Sequence, residues 1–191
     1  ATESARGRII SKFHEDKNGD IFIGTDDGGL FIYNPIKDKC HRYTIDKSNP
    51  NLNIHAIWSN DTYLWIGTYS KGLYRINHKT KYVEHIPYFE KDGITNESIY
   101  SIHEDLSGKI WIGTKTAIWT WTKKHGFIKE KELGYNSDII AICEDLKGSI
   151  WFASLNKGIL KYTPTTHNIT HISKGSNGIK IPNEITSMSL H

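Results

Sequence analysis

The stretch Ile102-His103-Glu104-Asp105-Leu106-Ser107-Gly108-Lys109-Ile110-Trp111-Ile112-Gly113-Thr114 decides the fold, because the chain writes it several times. An earlier version reads Phe13-His14-Glu15-Asp16-Lys17-Asn18-Gly19-Asp20-Ile21-Phe22-Ile23-Gly24-Thr25. A later one reads Ile142-Cys143-Glu144-Asp145-Leu146-Lys147-Gly148-Ser149-Ile150-Trp151-Phe152-Ala153-Ser154. A version one residue shorter reads Ile57-Trp58-Ser59-Asn60-Asp61-Thr62-Tyr63-Leu64-Trp65-Ile66-Gly67-Thr68. The marker positions Gly24, Gly67, Gly113 and Ala153 stand 43, 46 and 40 residues apart. The final segment, Ile185 to Leu190, resembles the opening of a fifth copy. A fixed period of this kind means that each copy is one structural unit, buried against its neighbours rather than on its own.

Within a copy the pattern is that of β-strands. Ile99 to Glu104 is β-branched and alternating. Asp105-Leu106-Ser107-Gly108 has the residues of a tight turn, Asp at its first position and Gly at its fourth. Ile110-Trp111-Ile112 is apolar at successive positions, which predicts a strand covered on both faces. A third strand such as Gly72 to Ile76, a polar turn at His78-Lys79-Thr80-Lys81 and a fourth strand, Tyr82 to Ile86, complete the unit. No amphipathic helical stretch of useful length is present. Four strands in about 40–45 residues is the period of a β-propeller blade. The expected fold is therefore all-β, with repeats over about 9–53, 54–98, 99–138 and 139–184 and the start of a fifth over 185–191, forming a single propeller segment over 1–191. Ile9 to His14 and Ile185 to Leu190 both read as a first strand, and a closed ring of four blades needs only one. That count predicts a partial propeller. An uncovered blade then leaves an edge and an apolar face, so self-association, including a two-chain ring, is expected.

Composition narrows the function. Lys plus Arg number 24 against 21 Asp plus Glu, giving a net charge of +3 with no basic run, so nucleic acid is not an expected partner. No stretch reaches the roughly 18 apolar residues of a membrane span, so any membrane attachment is expected through flanking segments. Residues 1–8 lack the apolar run of a signal peptide, which leaves the compartment open on this evidence. The two cysteines, Cys40 and Cys143, form no CxxC pair and read as free thiols.

The candidate chemistry is mostly structural. The pairs Glu15-Asp16, Glu104-Asp105 and Glu144-Asp145 recur at one repeat position, whereas a catalytic pair is needed once. Each Asp is expected to start a turn by accepting backbone N–H bonds. His14 and His103 share a position with Trp58 and Cys143, which marks a packing site. Asp16-Lys17-Asn18-Gly19-Asp20 faintly resembles a calcium loop but lacks the frame and bidentate Glu of an EF-hand. No metal or cofactor is expected. Thr25, Thr68, Thr114 and Ser154 form a repeated hydroxyl expected to tie a strand end to a loop. There is no GxSxG elbow and no Gly-rich phosphate loop. What varies between copies is the loop after each Gly-Thr run and the link to the next copy, which share one face of a propeller. Aromatic, acidic, amide and lysine side chains gathered there suit a sugar, whose apolar face stacks on a ring while its hydroxyls take polar partners. The candidate ligand-binding residues are Asp26, Asp27, Tyr69, Lys71, Tyr88, Phe89, Lys115, Tyr135, Asn156 and Lys157.

The repeat resembles that of the two-component regulator propeller family: an Ile-rich strand, Glu104-Asp105, the turn glycine Gly108, the run Ile110 to Thr114, then Gly-Leu-aromatic as in Gly72-Leu73-Tyr74. The resemblance covers nearly the whole chain. Departures occur at Phe22 for Trp, at Ser59-Asn60-Asp61 for Glu-Asp, at Ala117-Ile118 for Gly-Leu and at Ala153-Ser154 for Gly-Thr. It implies the periplasmic sensor region of a hybrid two-component system of Bacteroidetes type. Such a region detects carbohydrate breakdown products and signals through a membrane helix to a histidine kinase outside this chain. The implied function is non-catalytic, with an oligosaccharide as ligand. A free-standing lectin or scaffold propeller is the alternative. So is an enzyme similar to virginiamycin B lyase, although that family's catalytic histidine finds no place here.

Overall fold

The structure, a computed structural model, describes residues 9–86, 97–134 and 136–172. It places sixteen strands in these residues as four antiparallel four-stranded sheets, each with its strands in chain order. The first sheet holds β1 (Ile10–Glu15), β2 (Ile21–Thr25), β3 (Gly29–Asn34) and β4 (Lys39–Tyr43). The second holds β5 (Ile54–Ser59), β6 (Tyr63–Thr68), β7 (Leu73–Asn77) and β8 (Val83–Ile86). The third holds β9 (Ile99–Glu104), β10 (Ile110–Thr114), β11 (Ile118–Thr122) and β12 (Gly126–Lys129). The fourth holds β13 (Ile139–Glu144), β14 (Ile150–Ser154), β15 (Gly158–Thr163) and β16 (Asn168–Ile172). These are propeller blades. Their contacts divide the chain into two compact units, Ala1–Ile99 and Tyr100–His191. The expected opening strand of a fifth copy lies outside the described residues.

The strand boundaries differ from the sequence reading by a residue. The third strand of the second blade starts at Leu73, and its fourth at Val83 rather than the exposed Tyr82. Lys81 carries a left-handed backbone with φ of 60° before Tyr82, so the turn extends one residue further than its polarity suggests. The only helical element among the described residues is a single 3₁₀ turn, Lys131–Leu133.

Burial follows from stacking. Every residue of β10 is buried, Trp111 included, which is the doubly covered strand that Ile-Trp-Ile predicts. In the first unit Phe22 and Leu30 of one blade pack with Ile54, Ile57, Ile66 and Ile76 of the next. In the second unit Trp111 and Ile118 pack with Ile139, Ile142, Phe152 and Leu160.

The marker glycine sets how close two blades come. A Cβ on Gly24 would lie 2.7 Å from Cγ2 of Ile54. One on Gly113 would lie 2.2 Å from Oγ of Ser101 and 2.6 Å from the backbone oxygen of Ile139. Ser101 already donates to that oxygen at 2.8 Å, so neither atom has room to retreat. The Thr after the glycine closes the next loop: Thr25 Oγ1 donates to Gly29 O at 2.8 Å, Thr68 to Gly72 O at 2.6 Å and Thr114 to Ala117 O at 3.0 Å. Ser154 differs, donating to Oγ of Ser137 at 2.7 Å.

Gly113→Ala is expected to destabilise the chain by about 1–3 kcal/mol through overpacking. Urea unfolding followed by Trp fluorescence measures it. An unchanged midpoint would mean that the two sheets have slack at this contact.

Candidate functional site

A four-stranded meander sends its first and third connections to one end of the sheet and its second connection, with the link to the next sheet, to the other. Each unit therefore has a turn rim and a loop rim. The sequence reading puts the candidate ligand-binding residues on the loop rim.

In the first unit the loop rim is a connected surface. Asp27 N–H donates to Oδ1 of Asn53 at 2.5 Å, and Tyr69 N–H donates to the Asn53 carbonyl at 2.9 Å. His55 Nε2 lies 3.3 Å from Oδ1 of Asp26, and its ring stands 5.7 Å from that of Tyr69. The structure thus brings Asp26, Asp27 and Tyr69 together around Asn53 and His55. Tyr69 is half-exposed at 47%, leaving ring area for a ligand. Lys71 is exposed, and its carbonyl accepts from Nε2 of His85 at 2.8 Å. His85 in turn stacks flat on Tyr74 at 4.2 Å, so this loop is braced from below.

In the second unit Lys115 is exposed between β10 and β11. Asn156 and Lys157 are exposed between β14 and β15, where their N–H groups point to Oγ of Ser154 at 3.3 and 3.2 Å. Leu155 N–H bonds to the Asp138 carbonyl at 3.2 Å. Tyr88, Phe89 and Tyr135 lie outside the described residues. Sequence reasoning missed Asn53 and His55. Asn53 immediately precedes the first strand of the second blade and His55 is its second residue.

The turn rim explains the repeated carboxylates. Asp105 Oδ1 accepts the N–H groups of Ser107 and Lys109 at 2.9 and 3.0 Å, and its Oδ2 accepts the indole N–H of Trp111 at 2.7 Å. Asp145 does the same with Lys147, Ser149 and Trp151. The Trp151 indole and the Ser149 N–H hold the Asp145 carboxyl below the usual carboxylate range. Turn and strand are thereby locked through one side chain. Asp16 Oδ1 likewise accepts from Asn18 and Asp20 N–H, and its Oδ2 takes the Asn18 amide at 3.1 Å. Both carboxylate oxygens of Asp16 thus accept hydrogen bonds from within the turn.

His14 is a packing residue with a polar contact. Ser59 N–H donates to its Nε2 at 3.0 Å, with Ser59 Oγ at 2.7 Å, and its ring lies 5.5 Å from that of Trp58. An Nε2 that accepts a backbone N–H carries no proton, and burial holds this imidazole below its ordinary value. Burial does the same to His103.

No protein-family profile matches the chain. No curated protein matches it. Solved structures do. The extracellular domain of the hybrid two-component system BT3049 from B. thetaiotaomicron is 22% identical, with a TM-score of 0.75 over 92% of this chain and 24% of that one. The corresponding domain of BT4673 from the same organism is 20% identical, with a TM-score of 0.53 over 89% of this chain and 28% of that one. Virginiamycin B lyase from Staphylococcus aureus is 17% identical, with a TM-score of 0.71 over 93% of this chain and 60% of that one. The chain spans about a quarter of the length of the two sensor domains. At these identities the likeness establishes the propeller fold.

Stability is expected to fall in two stages on acidification. His14 and His103 bind protons less readily folded than unfolded, so stability drops as pH falls below the ordinary 6.5 of histidine. Asp145 has a lowered folded value, so a further loss sets in below the ordinary 3.8 of aspartate. Thermal midpoints across pH check this. A profile that stays flat from neutral pH to below 5 would contradict the buried neutral imidazoles.

Proposed function

We propose that this chain is a propeller segment from the extracytoplasmic sensor region of a hybrid two-component system, periplasmic in location. The segment itself is non-catalytic. It takes a carbohydrate-derived ligand on the loop rim, and its signal passes to a histidine kinase outside the chain. The single observation that carries this reading is the Ile-Trp-Ile-Gly-Thr repeat on blades that superpose over 92% of the chain on an extracellular sensor domain. Among the described residues no helix is long and apolar enough to cross a membrane.

The ligand class rests on the loop rim of the first unit. There a half-exposed tyrosine ring stands 5.7 Å from the His55 ring, which contacts the Asp26 carboxylate, with Asp27, Asn53 and Lys71 on the same rim. An aromatic platform flanked by donors and acceptors is the general recipe for a sugar. A lectin or scaffold propeller would use the same rim without a kinase. The lyase likeness is one of fold.

Self-association belongs to the same reading. Ile10 and Phe13 of β1 are 45% and 60% exposed. Their counterparts at the same repeat positions, Ile54 with Ile57 and Ile139 with Ile142, are at most 9% exposed beneath the preceding blade. We propose that a second copy covers this face of β1 in this chain.

Two measurements test these proposals. Tyr69→Ala with Lys71→Ala should weaken binding on an oligosaccharide array by about tenfold or more, with the thermal midpoint unchanged. Retained affinity would move the ligand off this rim. Phe13→Glu should convert an associating species to monomer in sedimentation velocity. A wild-type chain that is monomeric at high concentration would overturn the self-association proposal.

A further inference from the structure

The first unit holds a cavity of about 370 Å³ on its turn rim, the end opposite to the loop rim. In the second unit the position of Phe22 is held by Trp111, whose indole bonds to Asp105, meets Phe152 edge-on at 5.5 Å and lies 5.9 Å from Tyr162. The Lys109 ammonium covers the indole at 4.2 Å and pairs with Glu130 at 3.1 Å. By strand register the counterparts in the first unit are Phe22, Ile66, Ile76 and Asp20. Each is shorter or smaller than the residue it replaces. Phe22 also lacks the N–H that would reach Asp16.

The space is lined for a ligand of one kind. Phe22 and Ile32 supply an apolar floor. The carboxylates of Asp16 and Asp20 stand on one side, and His78 and Lys81 from the second blade on the other. The Lys17–Asp61 ion pair at 2.5 Å spans the two blades beside the cavity. With its two partners 63% and 82% exposed, the pair is held weakly and opens at little cost. Three carboxylates face two lysines and a histidine, so the site favours neither a cation nor an anion. The volume is at the lower end of small-molecule clefts, about 300–1,000 Å³.

We propose that this cavity binds a neutral, polyhydroxylated molecule of hexose size, at a site separate from the loop rim. The ligand class rests on the carbohydrate reading above. The place rests on the cavity itself, with Phe22 in its floor where the second unit has Trp111.

The test is a titration of the isotopically labelled chain with D-glucose, D-galactose and D-mannose, followed by amide NMR. Hexose-induced shifts are expected at Lys17, Asn18, Asn60 and His78. Phe22→Trp restores the indole found in the second unit, so it should raise the thermal midpoint and weaken hexose binding by about tenfold or more. Lys81→Ala, at an exposed turn, should weaken binding with the fold intact and covers the case in which Phe22→Trp folds poorly. Tyr69→Ala should leave hexose binding unchanged. Turn-rim shifts that persist undiminished in Phe22→Trp, or no shifts with any of the three hexoses, would overturn the cavity site. Shifts confined to the loop rim and lost in Tyr69→Ala would overturn it too, while supporting the loop-rim reading. Turn-rim shifts together with oligosaccharide affinity indifferent to Tyr69 would do the reverse.

Discussion

The close approach of one blade's second strand to the next blade's first strand is the constraint on which the rest of the structure depends. At Gly24 and Gly113 there is no room for a Cβ against Ile54 and Ile139. Sheets that come this near bury both faces of the intervening strand, which is why Ile110, Trp111 and Ile112 are all apolar. They also leave the strand end without freedom to splay. The Thr after the glycine then satisfies the backbone of the following loop from inside the sheet, as Thr25 and Thr68 do. Each unit is thus a rigid scaffold, and the loops at its two rims are where residues vary without penalty.

The same rigidity gives the departures from the repeat their meaning. A turn Asp that accepts two backbone N–H groups and an indole N–H is a closed hydrogen-bond system, as at Asp105 and Asp145. Where Phe22 stands in place of the indole, Asp16 completes its partners with the Asn18 amide, and a cavity lies beside Phe22. A packed interior does not collapse around one smaller side chain. The sensor reading places a ligand on the loop rim, around Tyr69. The cavity lies at the other end of the same two blades. Both follow from holding variable residues on an invariant frame.

Much of the fold was legible because the repeat shows each element several times. Ile99 to Glu104, the Asp-to-Gly turn and the doubly buried strand were all readable from residue order alone, and so was the threonine hydroxyl as a tie. Strand ends were less legible. The residue after the polar turn at Lys81 is set by a left-handed backbone that many residue types tolerate poorly yet adopt in turns. The Asp–Trp bond was hidden because its partners stand six residues apart with a turn between them, and only the register aims one at the other. His55 and Asn53 escaped for a similar reason: they stand far in sequence from Asp26, Asp27 and Tyr69, and only the stacking of the blades brings them together. In the sequence the only mark at the cavity is a single letter, Phe22 for Trp, and its lining of turn residues from two blades follows from the register alone.

The coding sequence on both sides of these 191 residues tests the central claim most directly. The account predicts further copies of the Ile-Trp-Ile-Gly-Thr repeat, followed by a membrane span and the motifs of a histidine kinase. A start codon just before Ala1 and a stop codon just after His191 would contradict it, and would leave a self-contained propeller protein whose role lies outside two-component signalling.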